Sequence, residues 1–172
     1  SMPKLDQSPL VSLIRSLQQA YKMRWKRRAL LWRAWRARRA LTPVLDRTSA
    51  LSADGVLCFA CLRNEAERLP YWLQHYRTLG VVHFLVVDNG STDATPDILK
   101  DAPDVSGWRA DTSYKAARFG MDWLTVLLTR YGTDRWCLTV DLDELLVYPD
   151  HTAHPLPDLT AALDAEGRRA VV

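Results

Sequence analysis

The 172-residue chain lacks any apolar run near the ~20 residues that cross a bilayer, which argues against a transmembrane helix. Its start has no apolar core followed by a small-residue cleavage site, so no secretory signal is read. The leading Ser1-Met2 has the look of a tag-cleavage scar and carries no argument. No G-x-G-x-x-G and no G-x-x-x-x-G-K-[ST] occurs, which removes support from dinucleotide-binding and P-loop readings. Cysteine is scarce, with three residues, Cys58, Cys61 and Cys137. "CFAC" sits in an apolar run, where positions three apart face opposite sides of a strand. A thioredoxin-type pair needs a helix N-terminus, and two lone cysteines do not make a zinc site. Buried thiols in a reducing compartment are the expectation.

What is present is a charge asymmetry. The net charge is +3, but residues 1–48 hold 12 Lys/Arg against 2 Asp/Glu, and residues 49–172 hold 11 against 18. A basic, Trp-rich arm and linker (1–48) therefore precede an acidic domain (49–172). Apolar and charged fractions of 48% and 25% are those of a soluble globular protein.

In the arm, Ser8-Pro9 reads as a helix start. Leu10, Ile14, Leu17, Tyr21, Trp25, Ala29, Trp32 and Trp35 then fall on one helical face. Lysines and arginines crowd the other positions. A helix continuous to about Arg39 would be roughly 45 Å long. Leu41 to Gly55 reads as a linker.

Beyond it, strand-like and helix-like stretches alternate. Gly55 to Leu62, Val81 to Val87, "DVSGWRA" and "RWCLTV" read as strands. Helices are expected over "RNEAERLPYWLQHYRTLG", with Leu69, Trp72, Leu73, Tyr76 and Leu79 inward and Gly80 closing it. Others are expected after Thr95-Pro96, over "SYKAARFGMDWLTVLLTRYG" with Ser113 as cap, and over "PDLTAALDAEG". "RRAVV" reads as the beginning of another strand, so the domain is expected to be incomplete at its C-terminus. Continuous apolar strands alternating with helices predict an α/β fold with a mostly parallel, Rossmann-like sheet and flanking helices, preceded by the long basic amphipathic helix.

In such sheets, ligands bind beyond the carboxyl ends of the strands. The first strand delivers Arg63, Asn64 and Glu65 there, the second "DNGSTD" (Asp88 to Asp93), the fourth "DLDE" (Asp141 to Glu144). If the last strand runs on through Asp141 and Asp143, both project to one side. Neighbouring carboxylates repel unless a cation lies between them, and hard oxygen donors suit Mg²⁺ or Mn²⁺ with substrate phosphates completing the shell. A solvated acidic turn is the bland alternative, as an ordinary loop with Asp93 or Thr95 capping is for "DNGSTD". A carboxylate such as Asp88 at a strand end can accept hydrogen bonds from a ribose or base.

Taken in order, "LRNEAERLPYWLQHYRTLGVVHFLVVDNGSTDAT" and "WCLTVDLDELLVYP" resemble family 2 glycosyltransferases of the GT-A fold, in a bacterial branch. The resemblance covers Val56 to Pro149. It implies a metal-dependent transfer of a sugar from a nucleotide-sugar donor, of UDP or GDP type, to a hydroxyl of an acceptor glycan or lipid-linked saccharide, with inversion. Arg63, Asn64, Glu65, Asp88, Asn89 and Asp141 would border the nucleotide. Asp143, with Asp141, would hold Mn²⁺ or Mg²⁺. Lys115 and Arg118 are candidates for diphosphate contact by spacing alone. The catalytic base of this family follows the D-x-D, and none of Glu144, Asp150, His151, His154, Asp158, Asp164 or Glu166 stands in a recognisable base pattern. It is expected beyond Val172, so this chain would be the donor half.

Two other readings stand beside this one. "DLDEL" superficially resembles the nucleophile motif of haloacid-dehalogenase-type phosphatases, but Leu145 stands where Thr or Val is usual. A non-catalytic GT-A-like module could instead bind nucleotide or act as a scaffold through the basic helix. For that helix three partners are open: an anionic membrane surface met by Trp25, Trp32 and Trp35, nucleic acid as the least favoured, or its own domain or a second copy, as in a homo-oligomer. The expected location is the cytoplasm, with peripheral attachment at the inner face of the membrane.

Overall fold

In the computed structural model, residues 9–170 are described, with side chains from residue 22 onward. The elements in order are α1 (Pro9–Ala37), β1 (Leu41–Leu45), β2 (Val56–Leu62), α2 (Leu69–Thr78), β3 (Val81–Asp88), α3 (Thr95–Asp101), β4 (Val105–Ala110), α4 (Met121–Tyr131), β5 (Cys137–Thr139) and α5 (Leu156–Ala165). Ser8, and the side chains of Leu10, Ile14, Leu17 and Tyr21, lie outside the described ones.

The fold is α/β. One five-stranded sheet has the order β1-β4-β3-β2-β5. The pairs β4–β3, β3–β2 and β2–β5 are parallel, and β1 runs antiparallel to β4. Alternation along β2 divides the core. Val56, Cys58, Ala60 and Leu62 meet Leu69, Trp72, Leu73 and Tyr76 of α2, Leu99 of α3 and Leu156 of α5. Leu57 and Phe59 meet Trp123, Leu124 and Leu127 of α4 on the other face. Both faces of the sheet are thus covered, as its continuous apolar strands require. Cys58 and Cys61 point into opposite layers, and all three cysteines are free thiols.

Several expectations are corrected. The stretch from Leu41 to Gly55 is not simply a linker: it contains β1, whose Leu41 and Leu45 pack on opposite core layers. Pro43, without an N–H to donate, is tolerated there because β1 is an edge strand. Arg47 fastens the segment after β1, donating to the carbonyls of Ala102 at 3.1 Å, Val105 at 2.8 Å and Lys100 at 2.8 Å.

The helix expected from Ser113 begins at Met121. Arg118, Phe119 and Gly120 have φ values of 51°, 57° and 80°, a left-handed run that no α-helix accepts. Gly120 has a second reason: a Cβ there would stand 2.6 Å from Cys61 Sγ. Arg168 to Ala170 form no strand, and Val171 and Val172 lie outside the described residues.

Helix α1 docks on α4 mainly through Arg33 and Ala34. Ala34 is buried, and Arg33 reaches the buried carboxylate of Asp122 at 3.3 Å. Trp25, Trp32 and Trp35 remain 54%, 57% and 50% exposed, with Trp32 bordering a groove beside Ala116, Ala117 and Trp123.

Candidate functional site

The parallel strands bring their carboxyl ends to one edge of the sheet. At the end of β3, Asp88 Oδ1 accepts the Ser91 amide at 2.8 Å, a turn closed by a carboxylate onto its own backbone. The Asn89 amide donates to the Leu62 carbonyl of β2 at 2.9 Å. With its nitrogen turned toward β4, the Asn89 side chain donates to the carbonyls of Ala110 at 3.2 Å and Thr112 at 3.3 Å.

The end of β2 is stitched to that turn. Asn64 adopts φ 55°, a conformation Asn tolerates better than most residues. Its Oδ1 accepts the Thr92 amide at 2.7 Å, and its own amide donates to Ser91 Oγ at 2.9 Å. Next, the Glu65 amide donates to Thr95 Oγ1 at 3.0 Å and the Ala66 amide to Asp93 Oδ2 at 3.1 Å. Asp93 also accepts the Thr95 amide at 2.9 Å. The Thr95 hydroxyl, ahead of the backbone amides, holds the Asp93 carboxyl below its ordinary range. Thr95, expected as a helix cap, is buried and serves the neighbouring loop. Asn64 and Asp93 therefore build the rim, while Arg63 remains exposed and Asp88 and Glu65 half-exposed.

The strand β5 stops at Thr139 and does not run on through the carboxylates. Asp141 to Glu144 form a turn, with the Glu144 amide donating to the Asp141 carbonyl at 3.2 Å. Leu142 is driven into the core, which leaves Asp141 and Asp143 on either side of it, both exposed. Both lie close enough to Tyr114 to help raise its pKa, after burial and the Cys61 thiol. Burial, then Asp141, pushes the Cys61 thiol up to about 12. The end of β2, Tyr114 and the Asp141–Asp143 turn therefore share one neighbourhood.

Three residues whose sequence pattern marks them as core or as one motif also hold this turn. Trp72 Nε1 donates to the Asp141 carbonyl at 3.3 Å. His75 Nε2 meets the Leu146 carbonyl at 3.0 Å. Tyr76 donates to the Glu144 carbonyl at 3.2 Å and accepts the Leu146 amide at 2.9 Å. The signal was in W-x-x-H-Y: three rings with polar tips on one buried helical face need partners for those tips.

Lys115 and Arg118 are not brought together. Lys115 is exposed. Arg118 is tied to Asp122 at 2.8 Å, the same carboxylate that Arg33 reaches.

Among the described residues, no group of three or more His, Cys, Asp or Glu side chains could hold a metal ion on its own. The donor set at Asp141 and Asp143 nonetheless fits a hard divalent cation. Mg²⁺ and Mn²⁺ commonly bind through one or two carboxylates plus substrate phosphates. Among the described residues, neither side chain has a salt-bridge partner. A separate apolar groove of about 820 Å³ lies beside β5, lined by Leu138, Leu146, Leu156, Leu159 and Leu163, and includes neither carboxylate.

No protein-family model matches the chain, and no curated protein matches it.

Proposed function

We propose that the chain carries the donor site of a metal-dependent glycosyltransferase of GT-A type. One observation carries the reading: the β2 and β3 end loops are hydrogen-bonded into a single rim through Asn64 and Thr92, with the anchored Asp141–Asp143 turn following the neighbouring strand β5. Such a rim is where an open parallel sheet takes a nucleotide.

In this reading Asp88 accepts from the ribose or base, and Arg63 and Glu65 border the nucleotide. Asn64 and Asn89 set the positions of the two loops. Asp143 and Asp141 hold Mn²⁺ or Mg²⁺, which as a Lewis acid would stabilise the leaving diphosphate. An acceptor hydroxyl of a glycan or lipid-linked saccharide replaces the diphosphate at the anomeric carbon; the departing oxygen keeps the electron pair of the broken bond, and the hydroxyl proton passes to a general base that none of these residues supplies. Trp72, His75 and Tyr76 are positioning residues, acting through the backbone of the turn. Lys115 is exposed and a candidate for diphosphate contact by spacing alone, whereas Arg118 would first have to leave Asp122.

Thermal unfolding with UDP or GDP, each with and without Mn²⁺, tests the proposal. A ligand at about 100 times its Kd stabilises by about 2.7 kcal/mol. The expected result is a metal-dependent rise in Tm with one nucleotide. No rise with either, in folded protein, contradicts it. A second reading, a non-catalytic module working through its basic helix, draws on the exposure of Trp32 and Trp35. It predicts partner binding without any nucleotide effect.

A further inference from the structure

Between Asp6 and Asp46 the chain has ten Lys or Arg and no acidic residue. In the same stretch Trp32 and Trp35 stand half-exposed on α1. The helix is held to the body by Ala34 and Arg33. Ala34 is two residues beyond Trp32, about 200° round the helix, so the buried side and the Trp32 side are nearly opposite. Trp25, seven residues before Trp32, falls almost in line with it and is equally exposed. The tryptophans thus keep about half of their surface open to solvent, Trp32 and Arg36 also bordering a groove shared with Ala116, Ala117 and Trp123 of the body.

Their arginines are arranged on them. The guanidinium of Arg36 lies 4.8 Å from the centre of the Trp32 ring, and that of Arg38 lies 4.9 Å from Trp35. A guanidinium over an indole covers a ring face on which a base would otherwise stack. It leaves ring edges and cations outward together. That combination suits a headgroup layer, where indole rings sit between apolar chains and water, and where each cation near an anionic leaflet adds attraction. No helix among the described residues is long and apolar enough to cross a membrane, so the contact would be along the surface.

We propose that α1 is an interfacial helix that seats the protein on an anionic phospholipid surface through Trp32, Trp35 and the surrounding arginines. The partner is chosen by charge complementarity and by the Arg–Trp pairs, and the proposal is independent of the transferase reading. Its occupant is the membrane lipid itself, met in the plane of the headgroups.

The test is co-sedimentation of the full chain with phosphatidylcholine vesicles and with vesicles that also contain phosphatidylserine. Binding is expected only to the anionic vesicles, and it should weaken as salt rises. A Trp32→Ala, Trp35→Ala double variant should bind about tenfold or more weakly. A separate Arg36→Glu, Arg38→Glu variant should lose at least about as much. Circular dichroism must show both variants folded, as expected for changes at exposed positions. No binding to anionic vesicles, or binding unchanged by either variant, overturns the proposal. So does a soluble dimer, seen by light scattering, that the tryptophan variant dissolves without any vesicle binding: the occupant would then be a second copy.

Discussion

Tyr76 and Glu144 are 68 residues apart, yet the Tyr76 hydroxyl donates to the Glu144 carbonyl at 3.2 Å. The same oxygen accepts the Leu146 amide at 2.9 Å. One buried phenol thereby fixes the exit of the turn that displays Asp141 and Asp143. Tyr76→Phe keeps the ring and deletes both bonds, leaving two partly buried backbone groups unpaired. The expected loss is about 1–3 kcal/mol of stability by urea denaturation, with weaker metal-dependent nucleotide binding. Unchanged stability and unchanged binding would remove Tyr76 from the account.

Asn64 does two things at once: it accepts a left-handed φ of 55° and it caps the Thr92 amide. Asn64→Gly relieves the backbone and loses the cap, at about 1 kcal/mol. Asn64→Ala loses the cap and adds left-handed strain of about 1 kcal/mol or more. Alanine should therefore be the worse substitution in a denaturation series. Equal losses would mean that only the side-chain cap matters there, and the reverse order would contradict the strain argument.

Acidification should destabilise the fold in two stages. Burial, ahead of the nearby charges, lowers the pKa of His83, whose ring bonds Ser106 Oγ at 2.8 Å. With a folded pKa below the unfolded ~6.5, the unfolded chain binds the proton first. Stability is thus present above ~6.5 and lost as pH falls toward the folded value. Asp104 follows at lower pH. Arg77, bonded to it at 2.6 and 2.7 Å, holds its carboxyl below the usual range. Its contribution is present above the unfolded ~3.9 and lost as pH falls through the lowered value. His83→Gln should flatten the first stage and Arg77→Gln the second, read as Tm against pH.

Asp122 carries Arg33 on one oxygen and Arg118 on the other, at 3.3 and 2.8 Å. Its side chain is buried, while both arginines keep solvent contact. Arg33→Leu should loosen α1 and leave the body folded, seen as faster hydrogen exchange confined to α1. Replacing Arg33 and Arg118 together strands a buried carboxylate and should cost more than the sum of the single changes. Strict additivity would mean that the two arginines act separately.

Much of the fold was legible because it is local. The apolar runs of β2 and β3 and the Leu69, Trp72, Leu73, Tyr76, Leu79 stripe each state their period, and all five stripe residues are buried. Gly80 was legible as a helix stop, and its φ is 101°. What escaped depends on distant partners. β1 is a strand only because β4 lies beside it, and five residues containing Pro43 carry no strand signal alone. The late start of α4 follows from the contact of Gly120 with Cys61, 59 positions away. At the rim, the three polar clusters could be placed by strand order. The roles of Asn64, Thr95 and Tyr76 could not, because a hydrogen bond between loops leaves no periodic mark.

The central claim is that Asp141 and Asp143 on their anchored turn hold a divalent ion against a nucleoside diphosphate. Calorimetric titration of UDP, then GDP, with and without Mn²⁺, on the wild-type chain and on Asp143→Ala tests it most directly. The account predicts binding of one nucleotide that requires Mn²⁺ and falls at least about tenfold in the variant, whose exposed position should leave the fold intact. Binding of neither nucleotide to the folded wild-type chain, or binding indifferent to Mn²⁺ and to Asp143→Ala, would contradict it.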